Sequence, residues 1–283
     1  MRFCFVILHY LVPDITMESV DLLLDNFRDR DMSVVVVDNC SPDGSGMAIR
    51  ERYASETRVH VVQLPVNEGF ARGNNVGYKY AVEHLAPDFI IVMNNDVFIE
   101  DAGFAGKVER EYKASPFAVL GPDIFSPCAN VHQSPSRPVP LTLSQVKSLR
   151  CKMAMKYFFF PFVHVLRKAG LSNRSDAVPE QKDFMEPREG CVLHGACYIF
   201  SKDFMAARPL AFNPSTFLYC EEDILCHECL EAGLSMRYCP SVSVKHLEDA
   251  ATKASSRSSF RRDRTKYRRL AASLGVLEKL MAE

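Results

Sequence analysis

Residues 34–46 read Val-Val-Val-Val-Asp-Asn-Cys-Ser-Pro-Asp-Gly-Ser-Gly. Four consecutive valines fit a strand buried on both faces, as in a parallel sheet. The run ends on a polar tip, Asp38-Asn39. Ser41 to Gly46 is then turn chemistry leading into a helix. The same unit recurs on either side. Phe3 to Leu8 is a continuous apolar run, and Val20, Leu23, Leu24 and Phe27 repeat at helical spacing within residues 16–29. Val59 to Leu64 reads as a third strand, residues 70–84 as a helix and Phe89 to Met93 as a fourth strand. A further helix closes at Glu109 to Lys113, and Ala118 to Leu120 is a short strand. This alternation predicts an α/β fold with a mostly parallel central sheet, right-handed crossovers and helices on both faces.

After residue 125 the pattern changes. Residues 125–190 are richer in Pro, Ser and charge and read as an insertion. Within it, Cys151 to Leu166 and the two residues that follow carry Lys152, Lys156, Arg167 and Lys168 around Tyr157-Phe-Phe-Phe-Pro-Phe162. It reads either as a helix packed on the domain or as an element touching a membrane surface or lipid-linked acceptor, the first being favoured because its polar face is thin. Strand pattern returns at Cys191 to Phe200, a helix follows Glu221, and a strand lies around Ser235 to Cys239. Lys253 to Arg269 holds eight basic residues against one acidic, Asp263, with Phe260, Tyr267, Leu270, Leu274 and Leu277 at helical spacing. The apolar stripe suits docking on the domain. The basic face suits peripheral contact with an anionic inner membrane surface. The expected organisation is a catalytic α/β domain over residues 1–250 and a basic amphipathic helix over 251–283.

Composition bounds the function. The 283 residues are 47% apolar and 24% charged, with a net charge of −1, which suits an ordinary globular domain and argues against a nucleic-acid-coating polycation. The ten cysteines are scattered and a chain this large does not need stapling, so reduced thiols and a cytoplasmic setting are expected. Cys226 and Cys229 have C-x-x-C spacing but fall in a helical pattern with no second pair, which disfavours zinc. The apolar start, Phe3 to Val12, lacks a small-residue cleavage site and runs into Pro13, so it reads as a buried strand rather than a leader.

In open α/β sheets ligands bind beyond the carboxyl ends of the strands, so the residues following each strand carry the chemistry. Asp38 can accept hydrogen bonds from a base or ribose, or simply cap a helix. Asn67-Glu-Gly-Phe-Ala-Arg-Gly-Asn-Asn75 places two glycines around Arg72 at a helix start, which suits either an ordinary loop or a diphosphate site. Asn94-Asn95-Asp96 ends the fourth strand, and Asp96 supplies an oxygen ligand for a hard cation. Glu221-Glu222-Asp223 opens a helix. Three carboxylates there favour the macrodipole, and one of them can equally serve as the base of a displacement reaction.

Together VVVVDNCSPDGSG, NEGFARGNN, IIVMNND, HGACYIF, FLYCEEDIL and VKHLEDAAT, in this order, resemble the family 2 glycosyltransferases of the rhamnosyltransferase-like branch. The similarity covers nearly all of residues 3–250. The resemblance implies a nucleotide-diphospho-sugar transferase (GT-A) fold. It also implies inverting, metal-dependent transfer of a sugar from a donor such as dTDP-rhamnose or a UDP-sugar. The acceptor it implies is a saccharide or lipid-linked molecule in capsule, O-antigen or other surface-polysaccharide synthesis. It places His9, Asp38, Asn67, Gly69, Arg72, Asn75 and Asn95 on the nucleotide side. His194, Gly195, Ala196 and Glu221 fall on the sugar and acceptor side, and Asp96 and His246 at a Mg²⁺ or Mn²⁺ ion. Asp223 is taken as the base, with Glu222 next, because the Glu-Glu-Asp run aligns with the family's Glu-Asp in two ways. Two departures stand out. The metal-binding triplet reads Asn-Asn-Asp, without its first carboxylate, and the first strand ends His9-Tyr10 where the family has Asn-Tyr. The rivals are a sugar-1-phosphate nucleotidyltransferase, which would need a glycine-rich loop that residues 8–16 lack, and a non-catalytic binding module of the same fold.

Overall fold

The computed structural model describes residues 1–168, 184–247 and 259–283. In chain order the elements are β1 (Phe3–His9), α1 (Pro13–Asn26), β2 (Met32–Asp38), α2 (Ser45–Arg52), β3 (Val59–Gln63), α3 (Gly69–His84), β4 (Phe89–Asn94), β5 (Val97–Phe98) and α4 (Phe104–Ala114). Then follow β6 (Val119–Ser126), β7 (Val131–His132), α5 (Leu143–Lys168), β8 (Arg188–Glu189), β9 (Cys197–Ser201), α6 (Lys202–Ala207), α7 (Glu221–Glu231), β10 (Met236–His246) and α8 (Ser259–Leu280).

The strands form one sheet in the order β3-β2-β1-β4-β9-β6-β10-β5, with β7 on β6 and β8 on β10. The valine run pairs in parallel with β1 and β3, and β1 pairs in parallel with β4. The chain therefore builds outward from β1 to β3, then returns to add β4 on the other side. That reversal is the switch point at which α/β sheets form a ligand crevice. Beyond β4 the sheet becomes mixed: β9 runs antiparallel to both β4 and β6, while β10 runs parallel to β6.

The later elements differ from their expected bounds. The strand expected at Cys191 to Phe200 is regular only from Cys197, because His194-Gly195 turn the chain at the sheet edge. The strand expected to end at Cys239 runs on to His246, with a register shift between Cys239 and Ser243 where Pro240 lacks a donor. The strand expected over Ala118 to Leu120 extends to Ser126.

One face of the sheet is covered by Val20, Leu23 and Phe27 of the α1 region, Ile49 of α2 and Phe104, Val108 and Tyr112 of α4. The other is covered by Ala71, Tyr78 and Ala81 of α3, Phe204 of α6 and Leu225, Cys226 and Cys229 of α7. Cys226 and Cys229 are thus core residues, and all ten cysteines are free. A third cluster joins Val146 and Met153 of α5 to Leu274 and Leu277 of α8 and to Cys220 and Ile224 at the start of α7. The two long helices run antiparallel: Arg150 pairs with Glu278 at 2.8 Å, and Phe160 packs on Phe260 and Tyr267 with ring centroids 5.2 and 5.7 Å apart. The apolar stripe of the basic helix therefore faces α5. Residues 253–258 of the expected basic segment, and the end of the VKHLEDAAT string, lie outside the described residues. No helix among the described residues is long and apolar enough to cross a membrane.

Candidate active site

The ends of β1, β2 and β4, the residues before β9, the end of β10 and the start of α7 meet at one edge of the sheet. Backbone strain concentrates there. Positive φ occurs at Leu11 and Val12 after β1, at Cys40 after β2 and at Tyr219 and Cys220 before α7. Non-glycine residues held in this region cost of order 1–3 kcal/mol each and persist where surrounding structure imposes them.

On the nucleotide side, Asp38 is buried and its Oδ1 accepts the Ser41 amide at 3.1 Å. The loop expected to meet the donor is fixed by a residue outside the expected set. Asn39 donates to the carbonyl of Gly69 at 3.1 Å and to Asn67 Oδ1 at 3.3 Å, and its own Oδ1 accepts the Glu68 amide at 2.8 Å. Gly69 has φ +78°, and a Cβ there would lie 2.2 Å from the Phe217 carbonyl, which also accepts the Phe70 amide at 2.7 Å. The glycine therefore permits the donor loop to touch the segment leading into α7. Asn75 makes a second tie, donating to and accepting from the Phe212 backbone at 2.8 and 2.9 Å. Arg72 is exposed and donates to the Pro214 carbonyl at 2.8 Å.

His9 and Asn95 are placed differently from the other expected donor residues. His9 is fully buried, with Nδ1 against Thr16 Oγ1 at 2.8 Å and Nε2 against Ser45 Oγ at 2.9 Å. Asn95 donates to the same Thr16 hydroxyl at 3.0 Å. Burial pulls the His9 pKa down against the opposing pull of Asp38 and Asp43. Both side chains are buried and tie the ends of β1 and β4 to Thr16 of α1.

Of the expected metal ligands, Asp96 Oδ1 lies 3.3 Å from His246 Nε2, and both residues are buried. His246 Nδ1 meets Gln133 Oε1 at 2.8 Å, an amide oxygen that can only accept. Gln133 thereby fixes the ring so that Nε2 faces the Asp96 carboxylate, and this nitrogen and oxygen are two donors that a divalent cation could take. His194 lies alongside, its ring centroid 5.9 Å from that of His246. Burial, and then the neighbouring His246, pull its pKa down to about 3. Its Nδ1 accepts the Ala196 amide at 3.2 Å, which leaves the ring proton on Nε2. Among the described residues no group of three or more His, Cys, Asp or Glu side chains is gathered to hold a metal. Any ion here would rest on Asp96, His246 and oxygens brought by the ligand.

The carboxylates expected to include the base occupy the first turn of α7. Cys220 occupies its N-cap in the left-handed region without a side-chain cap. The three carboxylates that follow have three environments. Asp223 forms an ion pair with Arg137. Glu221 is buried with Oε1 unpartnered; burial and the adjacent Glu222 push its pKa up to about 8. Glu222 is partly buried and faces Gly195, where a Cβ would stand 3.2 Å from Glu222 Oε1. Burial raises its pKa, Asp223 adds to that, and Arg137 works in the opposite direction. Arg137 is held by backbone bonds in both directions with Val192, at 3.2 and 3.0 Å. Gln133 and Arg137 both come from the insertion. They lie in a Pro- and Ser-rich stretch without periodicity, and nothing in its pattern singles them out.

Residues 4–168 match the family described as Glycosyl transferase family 2. The low-salt glycan biosynthesis hexosyltransferase Agl10 of Haloferax volcanii is 22% identical over 213 residues, 75% of this chain and 58% of that protein. The dTDP-rhamnosyl transferase RfbF of Shigella flexneri is 28% identical over 74 residues, 26% of this chain and 24% of that protein. The chain thus spans less than two thirds of the length of either relative. Among solved structures, the mannosyltransferase PcManGT from Pyrobaculum calidifontis in complex with GDP-Man and Mn²⁺ has a TM-score of 0.56 at 12% identity, over 99% of this chain and 72% of that one. At such identity the likeness bears on fold, and the fold is the expected GT-A arrangement.

Proposed function

The chain belongs to glycosyl transferase family 2, and from that premise we propose that it is an inverting glycosyltransferase. It moves a hexosyl unit from a nucleotide-diphosphate donor, dTDP-rhamnose or a UDP-sugar, to a saccharide or lipid-linked acceptor in surface-polysaccharide synthesis. The observation that carries this reading is one convergence. Glu222, a carboxylate with a raised pKa, faces Gly195 at the same sheet edge as the Asp96–His246 pair and the Asn39-pinned donor loop.

Asp96 and His246 would hold Mg²⁺ or Mn²⁺, which would supply positive charge against the leaving diphosphate. Asp38 and the loop around Asn67 and Gly69 would receive the nucleotide, with Arg72 at the loop's outer edge. His194, Gly195 and Ala196 would line the sugar and acceptor side. The environments of the three carboxylates favour Glu222 over Asp223 as the base, since Asp223 is neutralised by Arg137. Glu222 takes the proton of the acceptor hydroxyl as that oxygen bonds to the anomeric carbon. The bond from that carbon to the diphosphate oxygen breaks, and a single displacement inverts configuration.

The test is a panel of nucleotide sugars incubated with the protein and Mn²⁺ or Mg²⁺, with release of nucleoside diphosphate measured. Turnover of at least one donor, lost in Glu222→Gln, supports the reading. Formation of a nucleoside triphosphate on adding pyrophosphate would instead support the nucleotidyltransferase. Donor binding without turnover under every condition would support a binding module.

A further inference from the structure

Helix α5 is apolar on two sides. One side, with Val146, Met153 and Phe160, is buried against α8 and α7. The other carries Met155, Phe158, Phe159 and Phe162, which are 51%, 73%, 63% and 65% exposed. Their spacing, i, i+3, i+4 and i+7, puts all four on one stripe. Three adjacent exposed phenylalanines on a single face mark an interaction surface rather than scattered surface apolarity.

The charge around the stripe is mostly positive. The antiparallel pairing brings the start of α8 beside the end of α5. Arg264 lies over the Tyr157 ring at 4.7 Å and Lys156 over the Tyr267 ring at 5.4 Å. Residues 151–162 and 260–269 together carry eight Lys or Arg and one acidic residue, Asp263. An aromatic stripe bordered by cations, on a helix that does not span, is the arrangement that lies in the plane of an anionic bilayer. The phenylalanines would enter the acyl boundary, while the cations would meet lipid phosphates within a Debye length.

We propose that the Phe158–Phe162 stripe of α5 and the basic start of α8 form a membrane-docking surface for anionic phospholipid. This surface is coupled to the reacting groups. The helix pair packs on Cys220 and Ile224, Ser273 donates to the Leu218 carbonyl at 3.1 Å, and Arg269 lies 4.2 Å from the Phe217 ring centroid. Docking therefore holds the first turn of α7, with Glu222, near the lipid surface. The consequence that a lipid-linked acceptor is delivered there rests on the transferase reading, whereas the docking does not.

The experiment is co-sedimentation of the full chain with phosphatidylcholine vesicles, with and without phosphatidylglycerol, at low and high salt. Donor hydrolysis is measured on the same samples. The expected result is binding to the anionic vesicles at low salt, weakened by salt. Binding should fall at least tenfold in Phe158→Ser/Phe159→Ser/Phe162→Ser and several-fold in Lys152→Glu/Arg261→Glu, with unchanged melting temperatures. Absence of binding at low salt overturns the proposal, as does undiminished binding of the triple-serine variant. A dimer in solution that the triple-serine variant dissociates, without vesicle binding, would assign the stripe to a second copy of the chain. Vesicle binding without donor hydrolysis would leave the docking in place and remove the transferase reading.

Discussion

Replacing Glu222 and Asp223 separately distinguishes two neighbouring carboxylates that the sequence ranks with Asp223 first and the structure with Glu222 first. Glu222→Gln removes the proposed base while keeping shape, so kcat should fall by about 10² to 10⁴. Donor affinity should stay within a few-fold. Asp223→Asn should retain at least a tenth of the wild-type rate, because Asp223 is bound to Arg137 rather than aimed at the crevice. Its cost should appear in stability instead. Breaking a buried ion pair by removing one partner costs about 3–5 kcal/mol. Here Asp223 is 11% exposed but Arg137 is 35% exposed, so solvent screening reduces the expected loss. About 2 kcal/mol is expected for Arg137→Met, which strands the carboxylate, and about 1 kcal/mol for Asp223→Asn, which keeps an acceptor oxygen. Arg137→Met/Asp223→Leu should lose less than the sum of the single replacements, with a coupling of about 1 kcal/mol. Arg137 also lowers the Glu222 pKa, so Arg137→Met should move the acid limb of the kcat profile upward in pH. Urea denaturation and nucleoside-diphosphate release measure these effects. The reasoning is refuted if Asp223→Asn abolishes turnover in a folded, donor-binding protein while Glu222→Gln retains a tenth or more.

Gly69→Ala forces a Cβ to 2.2 Å from the Phe217 carbonyl at φ +78°. A loss of about 2–3 kcal/mol is expected from backbone strain and a broken hydrogen bond, together with weaker donor binding, measured by urea denaturation and by nucleotide titration. Gln133→Leu removes the acceptor that orients His246. The Mn²⁺ concentration for half-maximal turnover should rise about 10–100-fold, and an unchanged requirement would detach His246 from the metal. Glu221 has a folded pKa raised from 4.5 to about 8. The folded state then binds more protons than the unfolded chain between those values, so stability should fall as pH rises from about 4.5 to about 8. Glu221→Gln should flatten that slope and be the more stable form at pH 8; parallel urea midpoints at pH 5 and 8 would contradict this.

The first half of the fold was legible because buried parallel strands leave an unambiguous signal. Phe3 to Leu8, Val34 to Val37 and Phe89 to Met93 are apolar without alternation, and each ends on a polar tip at the sheet edge. The residue types at those tips were legible too, but not which way the side chains point. His9 and Asn95 turn inward to Thr16, and Asn39, adjacent to the expected Asp38, holds the donor loop. The strand β9 was expected, but its late start and antiparallel direction were hidden because His194-Gly195 interrupt a stretch that reads as one strand from Cys191. Gln133 and Arg137 were hidden because long-range ion pairs and second contacts to a histidine have no local period.

The mixed sheet explains why those hidden contacts fall where they do. Parallel strands deliver their carboxyl ends to one edge, which collects Asp38 and Asp96. An antiparallel strand delivers its amino end to that same edge, and β9 does so: the Asn94 amide bonds to the Ala196 carbonyl at 2.9 Å. The groups proposed for donor and acceptor therefore meet along the β4–β9 boundary as a consequence of strand direction. The chain leaving β6 folds back at this edge as β7 before it enters α5. The segment after β7 places Gln133 against His246 and Arg137 against Asp223. One short irregular segment thus touches both His246, a proposed metal ligand, and Asp223, the neighbour of the proposed base. Charge neutralisation at the leaving group and proton removal at the acceptor have to be set to the same geometry. A segment touching both sides is a physical means of doing so, and a rigid sheet edge gives it fixed points to touch.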